Sequence, residues 1–231
     1  MAKPHRTSLI ILSRNEINGL RSLIKHIPVR AMDECFAVDY HSTDGTVELL
    51  RTHGIQVYHQ KKPGRSEAFR IGAAKASGDI LIFFSPDGNE NPKDIPRLIT
   101  EIKNGADIAI ASRFMPASRN EEDDQLFKWR KWANLAFTML ANLCFRTSGP
   151  YITDTINGYR AITKQAFQTL NLDAEGFAIE FQMTIRALKH RMIIKEIPTI
   201  EGNRIGGASG SLAIPTGFSF IGYLLRELVN K

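Results

Sequence analysis

Apolar and polar positions follow two alternating rhythms along the first half of the chain. Ser8-Leu-Ile-Ile-Leu12 is an apolar run of strand length, and Ile17, Leu20, Leu23, Ile24 and Ile27 behind it recur at helical spacing. Cys35-Phe-Ala-Val38 reads as a second strand, ending at Asp39. Ser42-Thr43-Asp44 then offers N-caps for a helix through Val47, Leu49 and Leu50, closed by Gly54. Residues 55–58 form a third predicted strand and 67–76 a third helix. Ile80-Leu-Ile-Phe-Phe84 is the most hydrophobic strand, which predicts a central place in the sheet. A helix over 92–103, with Pro92 in its first turn, and a strand over 106–111 follow. Strand and helix in alternation predict a parallel sheet with right-handed crossovers.

The rhythm breaks after Met115. Residues 116–125 are polar, contain Glu121-Glu122-Asp123-Asp124, and read as a mobile loop. A long helix is predicted over 126–145, a strand over 159–162, a helix over 179–190 and a strand over 192–197. The glycine-rich run 204–211 reads as a flexible loop. Residues 212–229 are apolar but interrupted by Pro215 and Gly217 and carry Arg226 and Glu227, which predicts a surface helix rather than a membrane span.

With 231 residues, 43% hydrophobic and 23% charged, the chain can build one large core, and its composition excludes disorder and a disulfide scaffold. Cys35 and Cys144 have no partner at metal spacing and read as buried thiols of a reducing compartment. The N-terminus lacks the pattern of a signal peptide, so a cytoplasmic location is expected. The net charge is +6, which favours anionic partners such as nucleotides or phosphates. Neither a basic tail nor a basic stripe interleaved with aromatics is present, which argues against nucleic acid.

Ligands of open parallel sheets bind beyond the carboxyl ends of the strands. Those ends are polar here: Ser13-Arg14-Asn15-Glu16, Asp39-Tyr40-His41-Ser42-Thr43-Asp44, Ser85-Pro86-Asp87-Gly88-Asn89 and Ser112-Arg113-Phe114. Each has an ordinary structural role open to it as well, a helix cap for Ser42-Thr43-Asp44 or a turn for Asp87. Walker and GxGxxG loops are both absent, although Gly64-Arg65-Ser66 can present backbone N–H groups to an anion.

Taken in order, several segments share one pattern: Asn15-Glu16, Val38-Asp39 with Ser42-Thr43-Asp44-Gly45-Thr46, Gly64-Arg65 with Arg70-Ile71-Gly72, and Ala76-Ser77-Gly78-Asp79-Ile80. Pro86-Asp87-Gly88, Ala111-Ser112-Arg113-Phe114, Asp154-Thr155 with Gly158-Tyr159-Arg160, and Gly176-Phe177 continue it. The set resembles the family 2 inverting glycosyltransferases of the GT-A fold, in particular the branch acting on dolichol or polyprenyl phosphate, from about Ser8 to Ser209. The resemblance implies an α/β fold with a Rossmann-like, mostly parallel sheet flanked by helices. It implies one domain over 1–231, with a nucleotide-sugar half to about 115 and an acceptor-side α+β half with a C-terminal helix beyond.

Carried over position by position, Ser13, Asn15 and Glu16 line the base and ribose pocket, Asp39 contacts the nucleoside, and Arg65, where the family usually has lysine, borders the pocket. The Asp-x-Asp metal motif falls on Ser85-Pro86-Asp87, so Asp87 and Asn89 are the implied ligands of Mg2+ or Mn2+, with a diphosphate completing the shell. Serine at 85, Tyr40 in the strand-two motif and Gly210 after Arg-x-Gly-Gly-x-Ser depart from the pattern.

On the acceptor side, a hydroxyl needs a base, whereas a phosphate monoester is already a nucleophilic anion near neutral pH. A lipid-phosphate acceptor therefore calls for cations, and Arg113, Arg130, Lys131 and Arg204 are the candidates. Arg130 joins Asp87 and Asp154 as an expected catalytic residue. Asp154 matches the family's acidic residue near the acceptor, either as a base or as the orienter of an arginine, while Glu180 is read as a supporting residue. Phe127-Lys-Trp-Arg-Lys-Trp132 sets two tryptophans among cations and reads equally as an amphipathic helix with a wet face or as a peripheral contact with the inner membrane face, which the C-terminal segment would share. The expected activity is transfer of a sugar from a nucleotide-diphosphate sugar to a polyprenyl phosphate. The alternatives are a saccharide hydroxyl acceptor and, from Ser85, a non-catalytic nucleotide-sugar binding module. A membrane protein or a second copy is the expected protein partner.

Overall fold

The computed structural model describes residues 5–205 and 213–230. Its frame is a seven-stranded sheet of β1 (Thr7–Ser13), β2 (Glu34–Asp39), β3 (Gln56–His59), β4 (Ile80–Phe84), β5 (Ile108–Ser112), β6 (Arg160–Thr163) and β7 (Ile194–Pro198). The order is β3-β2-β1-β4-β6-β5-β7, which puts β4 in the middle as its hydrophobicity predicts. Every residue of β1, β4 and β5 is buried, because helices cover both faces. Alternate side chains of each strand feed two cores. Ile10, Leu12, Phe36 and Phe83 point into one; Leu9, Ile11, Ala37 and Phe84 point into the other.

The helices are α1 (Ile17–Leu23), α2 (Thr46–Thr52), α3 (Arg65–Lys75), α4 (Ile95–Lys103), α5 (Trp129–Phe145), α6 (Lys164–Thr169), α7 (Ala178–Lys189) and α8 (Ala213–Val229). Leu20, Leu50 and Leu98, on α1, α2 and α4, enter one core; Phe69 and Phe181, on α3 and α7, enter the other.

The mostly parallel sheet is as expected: β6 alone runs antiparallel, between β4 and β5, with Ala161 opposite both Ile82 and Ala109. The chain leaves β5, crosses α5, and returns to fill the space between two strands already parallel to each other. Local alternation carries no sign of that return. Several finer expectations are corrected. Helix α1 ends at Leu23, yet Ile24 and Ile27 stay buried in the turn that follows. Helix α6, not foreseen, starts where the Thr163 side chain accepts the Ala166 N–H at 3.1 Å. The acidic run at 116–125 is pinned rather than loose. Glu122 is buried and accepts the Lys131 N–H at 2.8 Å in the first turn of α5, where a carboxylate suits the helix dipole. Cys35 and Cys144 are half-buried rather than buried, and burial pushes the Cys35 thiol up to about 12. Of the predicted glycine-rich loop, residues 206–211 lie outside the described residues. Among the described residues no helix is long and apolar enough to cross a membrane.

Candidate active site at the carboxyl ends of the strands

Parallel pairing brings the ends of β2, β1 and β4 side by side, so their loops form one rim. Asp39 closes β2 and is fully buried; its carboxylate accepts the Ser13 hydroxyl at 2.9 Å and the Ser42 N–H at 2.9 Å. Asn15 sits at φ 54° and ties the β1 loop to the β2 loop, donating its N–H to Ser42 Oγ (2.8 Å) and accepting the Thr43 N–H (2.9 Å). Glu16 follows, and burial pushes its carboxyl up to about 7 despite an ion pair with Arg204.

The β4 loop carries the metal-motif residues. Asp87 Oδ1 accepts the Asn89 N–H at 3.1 Å, and Oδ2 lies 2.9 Å from Arg204 Nη1. Its carboxyl is held above its ordinary range by burial. Arg204 thus bridges Glu16 and Asp87. It reaches them because its own segment pairs with the loop, with Gly202 N–H on Asn89 O (2.9 Å) and Ile205 N–H on Asp87 O (2.8 Å). Gly88, at φ +99°, permits this approach; a Cβ there would lie 2.6 Å from the Ile205 side chain.

Where the motif has its first aspartate, Ser85 Oγ accepts from Arg65 Nη1 at 2.9 Å. The Arg65 Nε pairs with Glu180, and its Nη2 lies 3.9 Å from Glu90. Glu90 in turn accepts the Ser85 N–H at 2.7 Å, and burial holds its carboxyl well above its ordinary range. A carboxyl group therefore still stands near Ser85, supplied from five residues further on.

Across the sheet, Arg113 follows β5 and is gripped by Asp154, with Nε on Oδ2 at 2.7 Å and Nη2 on Oδ1 at 3.1 Å. Asp154 is fully buried and also accepts the backbone N–H groups of Arg113, Ile156 and Asn157. Burial alone would raise its carboxyl; Arg113 and these N–H groups outweigh it and hold it low. Glu201 lies 3.8 Å from Arg113 Nη1, and burial pushes its carboxyl up to about 7. In the first turn of α5, Lys131 pairs with Asp123, while Arg130 lies 5.8 Å from the Trp129 ring and has no carboxylate partner among the described residues.

One cavity of about 240 Å3 gathers Arg65, Ser85, Asp87 and Asn89 with Arg113, Arg130 and Lys131. Arg204 reaches it through Asp87, whereas Ser13, Asn15, Glu16 and Asp39 form the adjoining rim and do not line it. Glu90, Glu121 and Glu201 line it too and were not singled out in the sequence. Glu90, three residues past Asp87, carried a usable signal. Glu121 is hidden in an acidic run and Glu201 in an ordinary stretch.

No group of three or more His, Cys, Asp or Glu side chains suited to a metal occurs among the described residues. Two oxygen donors nevertheless fit a hard cation. Asp87 supplies a carboxylate, and Asn89 Oδ1 is buried without a hydrogen-bond partner while its Nδ2 donates to Glu121 at 2.8 Å. A pair of this kind suits an ion that takes its remaining oxygens from a diphosphate.

The sequence model described as glycosyl transferase family 2 matches residues 8–170, and the chain belongs to that family. It is 29% identical over 232 residues to the dolichol-phosphate mannosyltransferase of Pyrococcus furiosus, an alignment covering 96% of this chain and 63% of that protein. It is 26% identical to the polyprenol monophosphomannose synthase of Mycolicibacterium smegmatis, covering 88% of this chain and 80% of the relative. The chain thus spans under two thirds of the length of the Pyrococcus protein. Among solved structures, glucosyl-3-phosphoglycerate synthase of Mycobacterium tuberculosis with Mn2+, UDP-glucose and phosphoglyceric acid superposes with a TM-score of 0.77 at 21% identity, covering 97% of this chain and 80% of that one. That likeness establishes a shared GT-A fold.

Proposed function

We propose that this family 2 glycosyltransferase moves a sugar, with inversion, from a nucleotide-diphosphate sugar to a polyprenyl phosphate. The observation that carries the proposal is the single cavity in which Asp87 and Asn89 face the same space as Arg113, Arg130 and Lys131. The similarity to a dolichol-phosphate mannosyltransferase and a polyprenol monophosphomannose synthase supports the acceptor class.

On the donor side, Ser13, Asn15, Glu16 and Asp39 build the rim for the nucleoside, and Arg65 closes its inner edge. Asp87 and Asn89 would hold Mg2+ or Mn2+, whose chemistry is to neutralise charge growing on the leaving nucleoside diphosphate. On the acceptor side, Asp154 acts as an orienter. Its oxygens are occupied by the Arg113 guanidinium and by backbone N–H groups, so it fixes a fork aimed at a phosphate. Arg130, Lys131 and Arg204 complete the cationic wall, and an anionic nucleophile then needs alignment rather than deprotonation.

A hydroxyl acceptor is the second reading, favoured by one observation: Glu201, with its carboxyl near 7, lines the cavity beside Arg113. The test is to incubate purified protein with GDP- and UDP-sugars, Mn2+ and a short polyprenyl phosphate. Release of nucleoside diphosphate is expected with one donor. No release with any donor refutes the proposal, and release with a soluble saccharide only selects the second reading.

A further inference from the structure

A cation shared by Asp87 and Asn89 takes one of its oxygens from an amide, and an amide has two unlike ends. The oxygen suits Mg2+ or Mn2+, whereas the NH2 end turns hydrogens toward the ion. A carboxylate at 89 would present oxygen either way round. Asparagine serves only when something selects its orientation.

Glu121 stands where that selection is made. Its Oε2 accepts from Asn89 Nδ2 at 2.8 Å. A carboxylate accepts and does not donate, so it takes the NH2 end and leaves Oδ1 free. That oxygen is buried without a hydrogen-bond partner, and Asn89 lines the same cavity as Asp87. A buried acceptor with no partner is an uncommon arrangement that a ligand would satisfy. Of the four acids at 121–124, Glu122 accepts the Lys131 N–H, Asp123 pairs with the Lys131 ammonium and Asp124 with Arg119. Glu121 is the one that reaches the β4 loop.

Its backbone is fixed from the other side of the cavity. Glu201 Oε2 accepts the Glu121 N–H at 3.0 Å and Asn120 Nδ2 at 2.8 Å, and Glu201 donates its own N–H to Arg119 O at 2.9 Å. The next residue, Gly202, donates its N–H to Asn89 O at 2.9 Å. Residues 201–202 thus join the acidic stretch to the metal-motif loop, and the bond from Asn89 to Glu121 closes the ring between them.

We infer that Glu121 is a positioning residue of the donor site, holding the Asn89 amide with Oδ1 available to the cation and acting on metal binding through Asn89. The inference rests on the metal site of the proposed function. A carboxylate near a cation also attracts it directly, but that attraction needs no Asn89, so the two effects separate in a double-mutant cycle.

The test reads Mn2+ binding rather than turnover. The purified full chain is titrated with Mn2+ in saturating GDP or UDP, and the bound ion is measured from the loss of the free-ion electron paramagnetic resonance signal. Glu121→Ala is expected to weaken Mn2+ binding about tenfold or more, the usual effect of removing a group that orients a metal ligand. Glu121→Gln is expected to weaken it too while keeping the melting temperature of the ligand-free protein, because its amide can meet either end of Asn89 and selects neither. In an Asn89→Ala background, each substitution should change Mn2+ binding by less than about twofold, since no amide is left to orient. Affinity for GDP or UDP without metal should stay at the wild-type value throughout. Wild-type Mn2+ binding by both single variants overturns the inference. An equal loss with and without Asn89 overturns it as well, because the effect then comes from the charge of Glu121 or from its loop. Wild-type protein that takes up no Mn2+ with either nucleotide overturns the metal site itself, an outcome distinct from a failure of Glu121 alone.

Discussion

Replacing Asp154 by asparagine separates an orienting carboxylate from a catalytic base. Asp154 is fully buried and accepts from Arg113 Nε (2.7 Å), Nη2 (3.1 Å) and backbone N (3.2 Å), and from the N–H groups of Ile156 (3.3 Å) and Asn157 (3.0 Å). Asparagine keeps one acceptor oxygen but turns an NH2 group toward donors, and it leaves the largely buried guanidinium of Arg113 without its counter-charge. Breaking a buried pair in this way costs about 3–5 kcal/mol. The urea midpoint should fall accordingly, with the slope of the transition unchanged. The pH dependence fixes the cause. The carboxyl is held below its ordinary value in the folded protein, so its stabilisation is complete above about pH 5 and is lost as pH falls below about 4, through the lowered value. The difference between wild type and variant should therefore be flat near neutrality and shrink in acid. In the transfer assay, the acceptor KM should rise while the donor KM stays the same. A loss of stability under about 1 kcal/mol, or a difference that grows in acid, refutes the orienting role.

Asp87→Asn should leave the ligand-free protein about as stable as wild type, since burial already opposes its charge, but should abolish the Mn2+-dependent rise in melting temperature with nucleoside diphosphate; at a hundredfold excess over Kd that rise corresponds to about 2.7 kcal/mol. Glu16 and Glu201 carry carboxyls pushed up to about 7, so the native state holds protons that the unfolded chain releases. Stability should therefore fall as pH climbs from about 5 to 8, read as a declining melting temperature of the ligand-free protein. Glu201→Gln should leave transfer to a polyprenyl phosphate within about threefold of wild type, whereas a hydroxyl acceptor would lose about a hundredfold or more with its base.

The first half of the fold was legible because each strand there is a continuous apolar run followed by a helix with a capping signal, a pairing that fixes parallel neighbours. β6 defeated the same logic. Arg160-Ala-Ile-Thr163 has ordinary strand composition, and its direction depends on a return across α5 that no local pattern encodes. In the site, Asp87 and Asn89 stood out as polar residues ending the most apolar strand. Glu90, three residues further on, was within reach of the same reading, whereas Glu201 was not, because its effect comes from burial beside Arg113, which is distant in sequence. The acidic stretch 121–124 looked like a solvated loop. Its charges are instead spent on α5, through Glu122 on the Lys131 N–H and Asp123 on the Lys131 ammonium.

The two replacements in the donor motif are related physically. An aspartate at 85 beside Glu90 and Asp87 would put three carboxylates close together in a largely buried site, where like charges resist ionisation together. With serine at 85, the hydroxyl accepts from Arg65 and the backbone N–H is taken by Glu90, so the position keeps polar partners without a third carboxylate of its own. Arginine at 65 suits this arrangement better than lysine, because its planar fork meets Glu180, Ser85 and Glu90 at once. The same design recurs on the acceptor side, where Asp154 fixes the Arg113 fork, and at the rim, where Glu16 and Asp87 share Arg204. Three arginines are thus set by buried or half-buried acidic groups before any ligand arrives. An incoming anion would meet cations whose ordering cost has been met by folding, a preorganisation that suits the phosphate acceptor proposed above.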